Sequence, residues 1–286
     1  MPRCWRALAL VLLLPLGLAA CNSAGVEGVH QRLAAGMEAI GPRVVLLYTD
    51  VSASVPDTAW HQSLRRLSWE LRPGDRLTLY ALGGRAPDAP VLDTVVPGGV
   101  AERLSSGLGL STRMSRKEHD QVARGLSDAL IAATGRARAS DPGSRTAVVD
   151  AVCHAVATSQ TIPDGQTVVV LFTDGQEESP LANVARKRPT AAHARQLAVA
   201  IRRDGRCPTG GAWPLLRLVG LRHPTDPQAL RRWWETLLND LGAPPTRTDV
   251  TTHSLTALLD APVRMPPAVR DPRGTSSSRS IQEAAP

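Results

Sequence analysis

One stretch of the sequence decides the fold: Val44-Val45-Leu46-Leu47-Tyr48-Thr49-Asp50-Val51-Ser52-Ala53-Ser54. Its first residues are apolar without alternation, which is typical of a strand buried on both faces in the centre of a parallel sheet. The strand delivers Asp50 at its carboxyl end, and two serines at alternate positions, Ser52 and Ser54, follow at once. In an open α/β sheet ligands bind at this end of the strands. We therefore expect a binding site here.

A second apolar run, Thr167 to Phe172, ends in the same way, in Thr173-Asp174-Gly175. Two buried strands thus each place an aspartate at one edge of the sheet, with two hydroxyls beside the first. Carboxylate and hydroxyl oxygens suit a hard cation such as Mg²⁺. The sequence therefore indicates a divalent-cation site that includes Asp50, Ser52, Ser54 and Asp174, with Mg²⁺ as the expected ion and Mn²⁺ or Ca²⁺ as alternatives.

Strand and helix patterns alternate along the chain, which predicts an α/β fold: a doubly wound, mostly parallel sheet flanked by helices on both faces. We expect one such domain over residues 42–262. The predicted strands are 44–49, 76–82, 90–96 as an antiparallel edge, 167–173, 215–221 and one after 248. The predicted helices are 29–40, 57–72, 102–135, one beginning near 146, 191–204, 226–241 and one ending near 261, and residues 136–144 are expected to form a polar loop.

Both termini fall outside this domain. Residues 1–20 have the features of a secretion signal, because Arg3 and Arg6 precede an apolar segment that is short for a membrane span and ends in small residues. Residues 21–41 are expected to form a tether and a short helix. Residues 263–286 are rich in Pro, Ser and Arg and poor in apolar residues, which predicts a disordered tail.

The end of the signal, Leu18-Ala19-Ala20-Cys21, resembles the lipobox of bacterial lipoproteins. In that family the cysteine receives a diacylglycerol, the signal is cut before it, and the new amino terminus is acylated. The resemblance implies a lipid, such as palmitate, on Cys21 and a membrane-anchored chain on the extracytoplasmic side of the cell envelope. Several acyl chains together anchor firmly, whereas one does not. An ordinary secretory signal with an incidental cysteine is the alternative.

Export would also set the redox surroundings of the remaining cysteines. Apart from Cys4 in the signal and Cys21, only Cys153 and Cys207 are left, and an oxidising compartment permits them to pair. Two unpaired thiols are the alternative.

The charge of the chain favours no nucleic-acid partner. The formal net charge is +7, and removal of Arg3 and Arg6 with the signal lowers it to +5. No run of arginines is interleaved with aromatic residues, as a face that binds single strands would require. We therefore expect no nucleic acid among the partners.

A third motif, Thr146-Ala147-Val148-Val149-Asp150-Ala151, opens a helix after a polar loop. Thr146 could be simply the N-cap of that helix. Together with Asp50-x-Ser52-x-Ser54 and Thr173-Asp174-Gly175, however, the motif resembles the von Willebrand factor A (vWA) domain and its metal-ion-dependent adhesion site (MIDAS). That family has Asp-x-Ser-x-Ser after strand one, a threonine before a helix, and an aspartate after a central strand.

The resemblance implies that Asp50, Ser52, Ser54, Thr146 and Asp174 hold the cation, which then binds an acidic group on a protein partner. Three departures from the family pattern stand near the site. Tyr48-Thr49 is more polar than the usual approach to the first aspartate, Val55 replaces a common methionine, and Ser144-Arg145 replaces glycines that often precede the threonine. The last departure directly precedes Thr146 and therefore affects how its side chain is positioned at the site.

Other functions remain open at this stage. Aspartyl-phosphate phosphatases share the strand-end aspartates and magnesium, but they generally need a second aspartate two positions after the nucleophile, where this chain has Ser52. A structural lipoprotein with an empty site is a further alternative. The side chains of Glu177 and Glu178 are expected to be solvated, with tuning of the metal affinity or repulsion of wrong partners as the alternative. Four tryptophans at helical spacings are expected to be packing residues: Trp60, Trp69, Trp233 and Trp234.

Overall fold

The computed structural model describes residues 42–56, 58–85, 87–98, 115–140, 145–162, 167–184, 188–252 and 259. The predicted signal, Cys21, the tether with its helix 29–40, and the tail after 263 lie outside these residues. Among the described residues no helix combines the length and apolarity needed to cross a bilayer.

The described chain has its main strands and helices in the predicted order, with an additional pair of two-residue strands after Thr167–Phe172, and the predicted last helix ending near 261 lies outside the described residues. The strands are β1 Val44–Asp50, β2 Arg76–Leu82, β3 Leu92–Val95, β4 Thr167–Phe172, β5 Glu178–Ser179, β6 Ala182–Asn183, β7 Leu215–Val219 and β8 Thr248–Thr251. The helices are α1 His61–Glu70, α2 Arg116–Ser140, α3 Val148–Gln160, α4 Ala191–Arg203 and α5 Pro227–Leu241, and a 3₁₀ turn at Pro245–Arg247 precedes β8.

Six of these strands form one sheet in the order β3-β2-β1-β4-β7-β8. All neighbours run parallel except β2 and β3, so β3 is the predicted antiparallel edge. The two strands that end in aspartate-bearing loops, β1 and β4, are adjacent in the middle, with Thr49 paired to Phe172. Their carboxyl ends therefore meet at one point of the sheet edge.

Helices cover both faces of the sheet because the central strands are apolar on both. Alternate residues of β1 and β4, such as Leu46 and Leu171, pack against α3, α4 and α5. The intervening residues, such as Leu47 and Phe172, pack against α1 and α2. The predicted fold class, a doubly wound and mostly parallel α/β sheet, is confirmed.

The extent of α2 differs from the prediction. Residues 136–140 were expected to begin a polar loop, but the helix continues through Ser140. Ala137 is buried, and Arg138 Nη1 donates a hydrogen bond of 2.6 Å to the carbonyl oxygen of Val55. This last turn therefore packs against the loop after β1, a contact that the polar sequence does not reveal.

A covalent link joins α3 to the loop that follows α4. Cys153 and Cys207 form a disulfide, with their Cα atoms 4.6 Å apart and both residues buried. The bridge spans 54 positions of sequence. The disulfide therefore holds the segment that follows α4 against α3.

Candidate metal centre

The side chain of Asp50 lies at the centre of the polar cluster at the carboxyl edge. It is fully buried, and its Oδ1 accepts hydrogen bonds from the backbone N–H of Ser52 at 2.9 Å and from the Ser52 hydroxyl at 2.6 Å. The hydroxyl of Thr146, 96 positions away in sequence, donates to the same oxygen at 3.3 Å. The loop before α3 therefore meets the end of β1, as the resemblance implies.

The cluster extends from Ser52 to Asp174 through a second serine. The hydroxyl oxygens of Ser52 and Ser54 lie 2.9 Å apart, and Ser54 Oγ donates to Asp174 Oδ2 at 3.3 Å. The structure thus brings all five predicted site residues into one connected network. They come from the end of β1, the loops after β1 and β4, and the segment before α3.

Burial of the two carboxylates perturbs both of their acidities. The pKa of Asp50 is raised by loss of hydration, against the lowering effect of the hydrogen bonds that it accepts. Burial raises the pKa of Asp174 to about 6, and the nearby negative charge of Asp50 adds to this rise. Two adjacent carboxylates without full hydration favour a proton or a cation between them.

Arg145, in place of a family glycine, does not displace Thr146. Thr146 is buried, and its carbonyl oxygen accepts a hydrogen bond of 2.9 Å from the backbone N–H of Glu178. The next residue, Ala147, donates its N–H to the carbonyl oxygen of Gly83 at 2.9 Å. Backbone contacts from two sides therefore hold the threonine at the site.

The loop that carries Asp174 is tightly packed. Gly175 has φ +76°, and a Cβ placed there would lie 2.1 Å from Leu221 Cδ2. The backbone N–H of Gln176 donates to Asp174 Oδ1 at 2.9 Å, and the indole N–H of Trp234 donates to the carbonyl oxygen of Gly175 at 2.9 Å. A glycine is thus required both by its backbone conformation and by the lack of space.

Two residues at the site, Thr173 and Glu177, were missed or misjudged from the sequence, whereas Trp60 and Trp234 pack in the core as predicted. Thr173 donates its hydroxyl to Asp50 Oδ2 at 2.9 Å, and only its position in the Thr-Asp-Gly motif hints at this. Trp60 and Trp234 do more than pack, because Trp60 Nε1 donates to the carbonyl oxygen of Asp50 at 3.2 Å. Each tryptophan thus holds the backbone of one aspartate-bearing loop.

The prediction of a solvated Glu177 is wrong. This side chain is fully buried, and its two oxygens accept the backbone N–H groups of Val149 at 2.7 Å and Ser179 at 3.2 Å. Burial raises the pKa of Glu177 to about 7. Glu177 therefore ties the loop of Asp174 to the first turn of α3, directly after Thr146. Nothing in the local sequence distinguishes it from Glu178, which is partly exposed.

The donor set fits a hard divalent cation. The hydroxyls of Ser52 and Ser54 have two protons between them for three short contacts: 2.6 Å to Asp50, 2.9 Å to each other and 3.3 Å to Asp174. Neighbouring ligands of an octahedral Mg²⁺ at 2.0–2.1 Å are also separated by about 2.9 Å. Within the described ranges no group of three or more His, Cys, Asp or Glu side chains could hold a metal, so a cation here would depend on hydroxyl ligands.

The six-stranded sheet and the cluster at its carboxyl edge together form a doubly wound α/β domain with the polar site that the resemblance to vWA domains implies. No family model matches the chain, and no curated protein matches it.

Solved structures with a similar fold include three bacterial proteins. One is described as von Willebrand factor type A from Catenulispora acidiphila (18% identity, 73% of this chain and 38% of that chain, TM-score 0.35). Another is an aerotolerance-related membrane protein from Bacteroides fragilis (12% identity, 64% of this chain and 70% of that chain, TM-score 0.34). A third is the pilus adhesin SpaC from Lactobacillus rhamnosus GG (12% identity, 75% of this chain and 28% of that chain, TM-score 0.40). The function must be inferred from the residues at the site, because likenesses at this level carry no weight for it.

Proposed function

We propose that this chain is a membrane-anchored, extracytoplasmic binding module that uses a divalent cation to bind an acidic group on a protein partner. Adhesion, envelope assembly and sensing are all roles that such a module can serve. One observation carries the proposal: five oxygen-bearing side chains, from the end of β1, the loops after β1 and β4 and the segment before α3, converge in a single network of polar contacts at the carboxyl edge of the sheet.

The residues of this network would supply oxygen ligands to a Mg²⁺ ion, which prefers octahedral coordination by six oxygens. Bound there, the cation would supply an electrophilic centre for an anionic ligand. Three of the five donors are neutral hydroxyls, those of Ser52, Ser54 and Thr146, so the charge of a divalent ion is offset only by Asp50 and Asp174. Because β1 and β4 fix both aspartates from behind, the donors are held in place before a partner arrives.

The proposed membrane location rests on the resemblance of the amino-terminal segment to lipoprotein signals. A lipid on Cys21 would hold the domain outside the cytoplasm, close to the membrane surface. Incorporation of labelled palmitate into the full chain tests this, and Cys21→Ala is expected to abolish the labelling. Labelling that survives this change would contradict the lipid anchor.

Calorimetric titration of the purified chain with Mg²⁺ or Mn²⁺ tests the cation site. We expect saturable binding that is lost in Ser52→Ala and weakened in Thr146→Ala. Ser68→Ala is the matched control, because this buried hydroxyl donates to Leu64 within α1, away from the site. Absence of binding at millimolar metal would leave a structural lipoprotein with an empty site.

Capture of partners from envelope extracts tests the second half of the proposal. A partner is expected to bind in the presence of metal and to be released by a chelator, and Ser52→Ala should not retain it.

The phosphatase alternative is tested with a generic phosphate ester, and no hydrolysis is expected, because position 52 offers a hydroxyl where that chemistry needs a carboxylate. Turnover that Asp50→Asn abolishes would overturn the binding function.

A further inference from the structure

Each of the two donors remote from β1 has an exposed arginine beside it. Arg145 directly precedes Thr146, and the backbone N–H of Arg222 donates to the carbonyl oxygen of Asp174 at 2.8 Å. Both arginines are exposed, while the donors themselves are buried. A ligand that reaches the cation would therefore pass between two positive charges.

These two charges have no acidic partner among the described residues. Elsewhere on the surface, arginines pair with nearby carboxylates, as in Arg85 with Asp88 at 2.9 Å and Arg203 with Asp204 at 3.0 Å. Arg145 and Arg222 make no such ion pair within the described ranges. An anionic ligand that paired with them would therefore break no ion pair within the part of the chain that the structure describes.

The sheet sets the distance between the two arginines. Arg145 lies beside Gly84 at the end of β2, with its Cβ 3.9 Å from where a Cβ on Gly84 would stand, and Arg222 follows β7. Three inter-strand spacings separate β2 from β7, since β1 and β4 lie between them, and these amount to about 14 Å. An extended peptide covers that distance in about four residues and places every second side chain on one face.

We propose that the partner offers an extended acidic segment with carboxylates at alternate positions. The central carboxylate reaches the cation site, and the carboxylates two residues before and after it pair with Arg145 and Arg222. This inference rests on the proposed function, since the central contact requires the bound cation. It adds the chemical class of the partner and the spacing of its acidic groups.

Two blocked peptides test the inference with the full chain, purified in detergent and loaded with Mg²⁺. One has the sequence Gly-Glu-Gly-Asp-Gly-Glu-Gly, and the other replaces both glutamates by glutamine. At constant ionic strength the triacidic peptide is expected to bind about tenfold more tightly than the monoacidic one. Arg145→Gln and Arg222→Gln should each reduce this preference about threefold, and the double variant should remove it.

The control is Arg203→Gln, which changes the charge equally at the carboxyl end of α4, near the opposite edge of the sheet. It should leave the preference intact, and all variants should bind Mg²⁺ and the monoacidic peptide as the parent does. A preference that persists in the double variant overturns the inference while the cation site stands. If neither peptide binds in a Mg²⁺-dependent way and Ser52→Ala leaves the metal titration unchanged, the proposed function itself has failed, and the inference fails with it.

Discussion

The hydroxyl of Thr173, the first residue after β4, donates a hydrogen bond of 2.9 Å to Oδ2 of Asp50 at the end of the neighbouring strand β1. The backbone N–H of Gly175 donates in turn to this hydroxyl at 3.0 Å. Thr173 thus orients the central carboxylate and, at the same time, shapes the turn that presents Asp174.

Thr173→Val is expected to lower both stability and metal affinity. It keeps the shape of the side chain but removes a donor to a buried carboxylate, which costs about 2 kcal/mol in the free energy of unfolding. Chemical denaturation and Mn²⁺ titration measure the two effects. Thr94→Val, at a partly exposed position of the edge strand β3, should change neither, and an unaltered metal affinity in Thr173→Val would contradict the orienting role.

The stability of the metal-free chain is expected to fall as the pH rises from about 4 to about 7. The pKa of Asp174 is raised from 3.8 to about 6 and that of Glu177 from 4.5 to about 7, so these two groups hold more protons in the folded state than in the unfolded state in this range. A state that binds more protons loses stability as the pH increases. Melting temperatures measured in chelator over this range test the trend.

The same protons should compete with the cation. Metal affinity is therefore expected to rise as the pH passes through about 6, where Asp174 loses its proton. Added Mg²⁺ should then stabilise the chain more at pH 7 than at pH 5. Equal stabilisation at both values would exclude Asp174 as a ligand that must be deprotonated.

Glu177→Gln is expected to destabilise the chain by about 2 kcal/mol, because one of two backbone N–H groups would face an amide N–H instead of an acceptor. It should also weaken metal binding through Thr146, since the lost contact secures the first turn of α3. Glu178→Gln provides the adjacent control, with little effect on stability expected. Denaturation curves at pH 8, above the raised pKa of Glu177, give the comparison.

Gly175→Ala is expected to cost about 3 kcal/mol and to displace Asp174, because the new Cβ would overlap Leu221 at a left-handed backbone position. Gly205 also has positive φ, +63°, but a Cβ there meets nothing within 4 Å. Gly205→Ala should therefore cost only about 1 kcal/mol and leave metal affinity unchanged. Similar losses in the two variants would contradict the packing explanation.

Loss of the disulfide is expected to destabilise the chain by about 3 kcal/mol, since the bridge between Cys153 and Cys207 closes a long loop. The denaturant midpoint of the parent should decrease in reductant, and that of Cys153→Ser/Cys207→Ser should not. A midpoint of the parent that is insensitive to reductant would show that the cysteines are not paired in solution.

The sequence was sufficient to predict the sheet and its site edge. Strands such as Val44–Asp50 and Thr167–Phe172 are apolar on both faces, and a strand of this kind has few other places in a protein than the centre of a parallel sheet. Once both strands are parallel neighbours, Asp50 and Asp174 must lie at the same edge. The motif residues then converge because the fold leaves them no other position.

The interactions that hold the site in place could not be read from the sequence. Glu177 looks like any loop glutamate until α3 places the N–H of Val149 against it. The continuation of α2 through Ser140 depends on a carbonyl of the loop after β1. In both cases the contact is made between segments far apart in the chain, and local composition is typical of solvated loops.

Ser54 and Asp174 meet across 120 positions of sequence, and Thr146 reaches Asp50 across 96. An unfolded chain cannot bring these oxygens together, so an ion with this coordination would bind only after β1, β4 and α3 have assembled. Each tenfold excess of free ion over its dissociation constant would then add about 1.4 kcal/mol to the free energy of unfolding. The ionic composition of the surrounding medium would thereby help to set how long the mature protein persists.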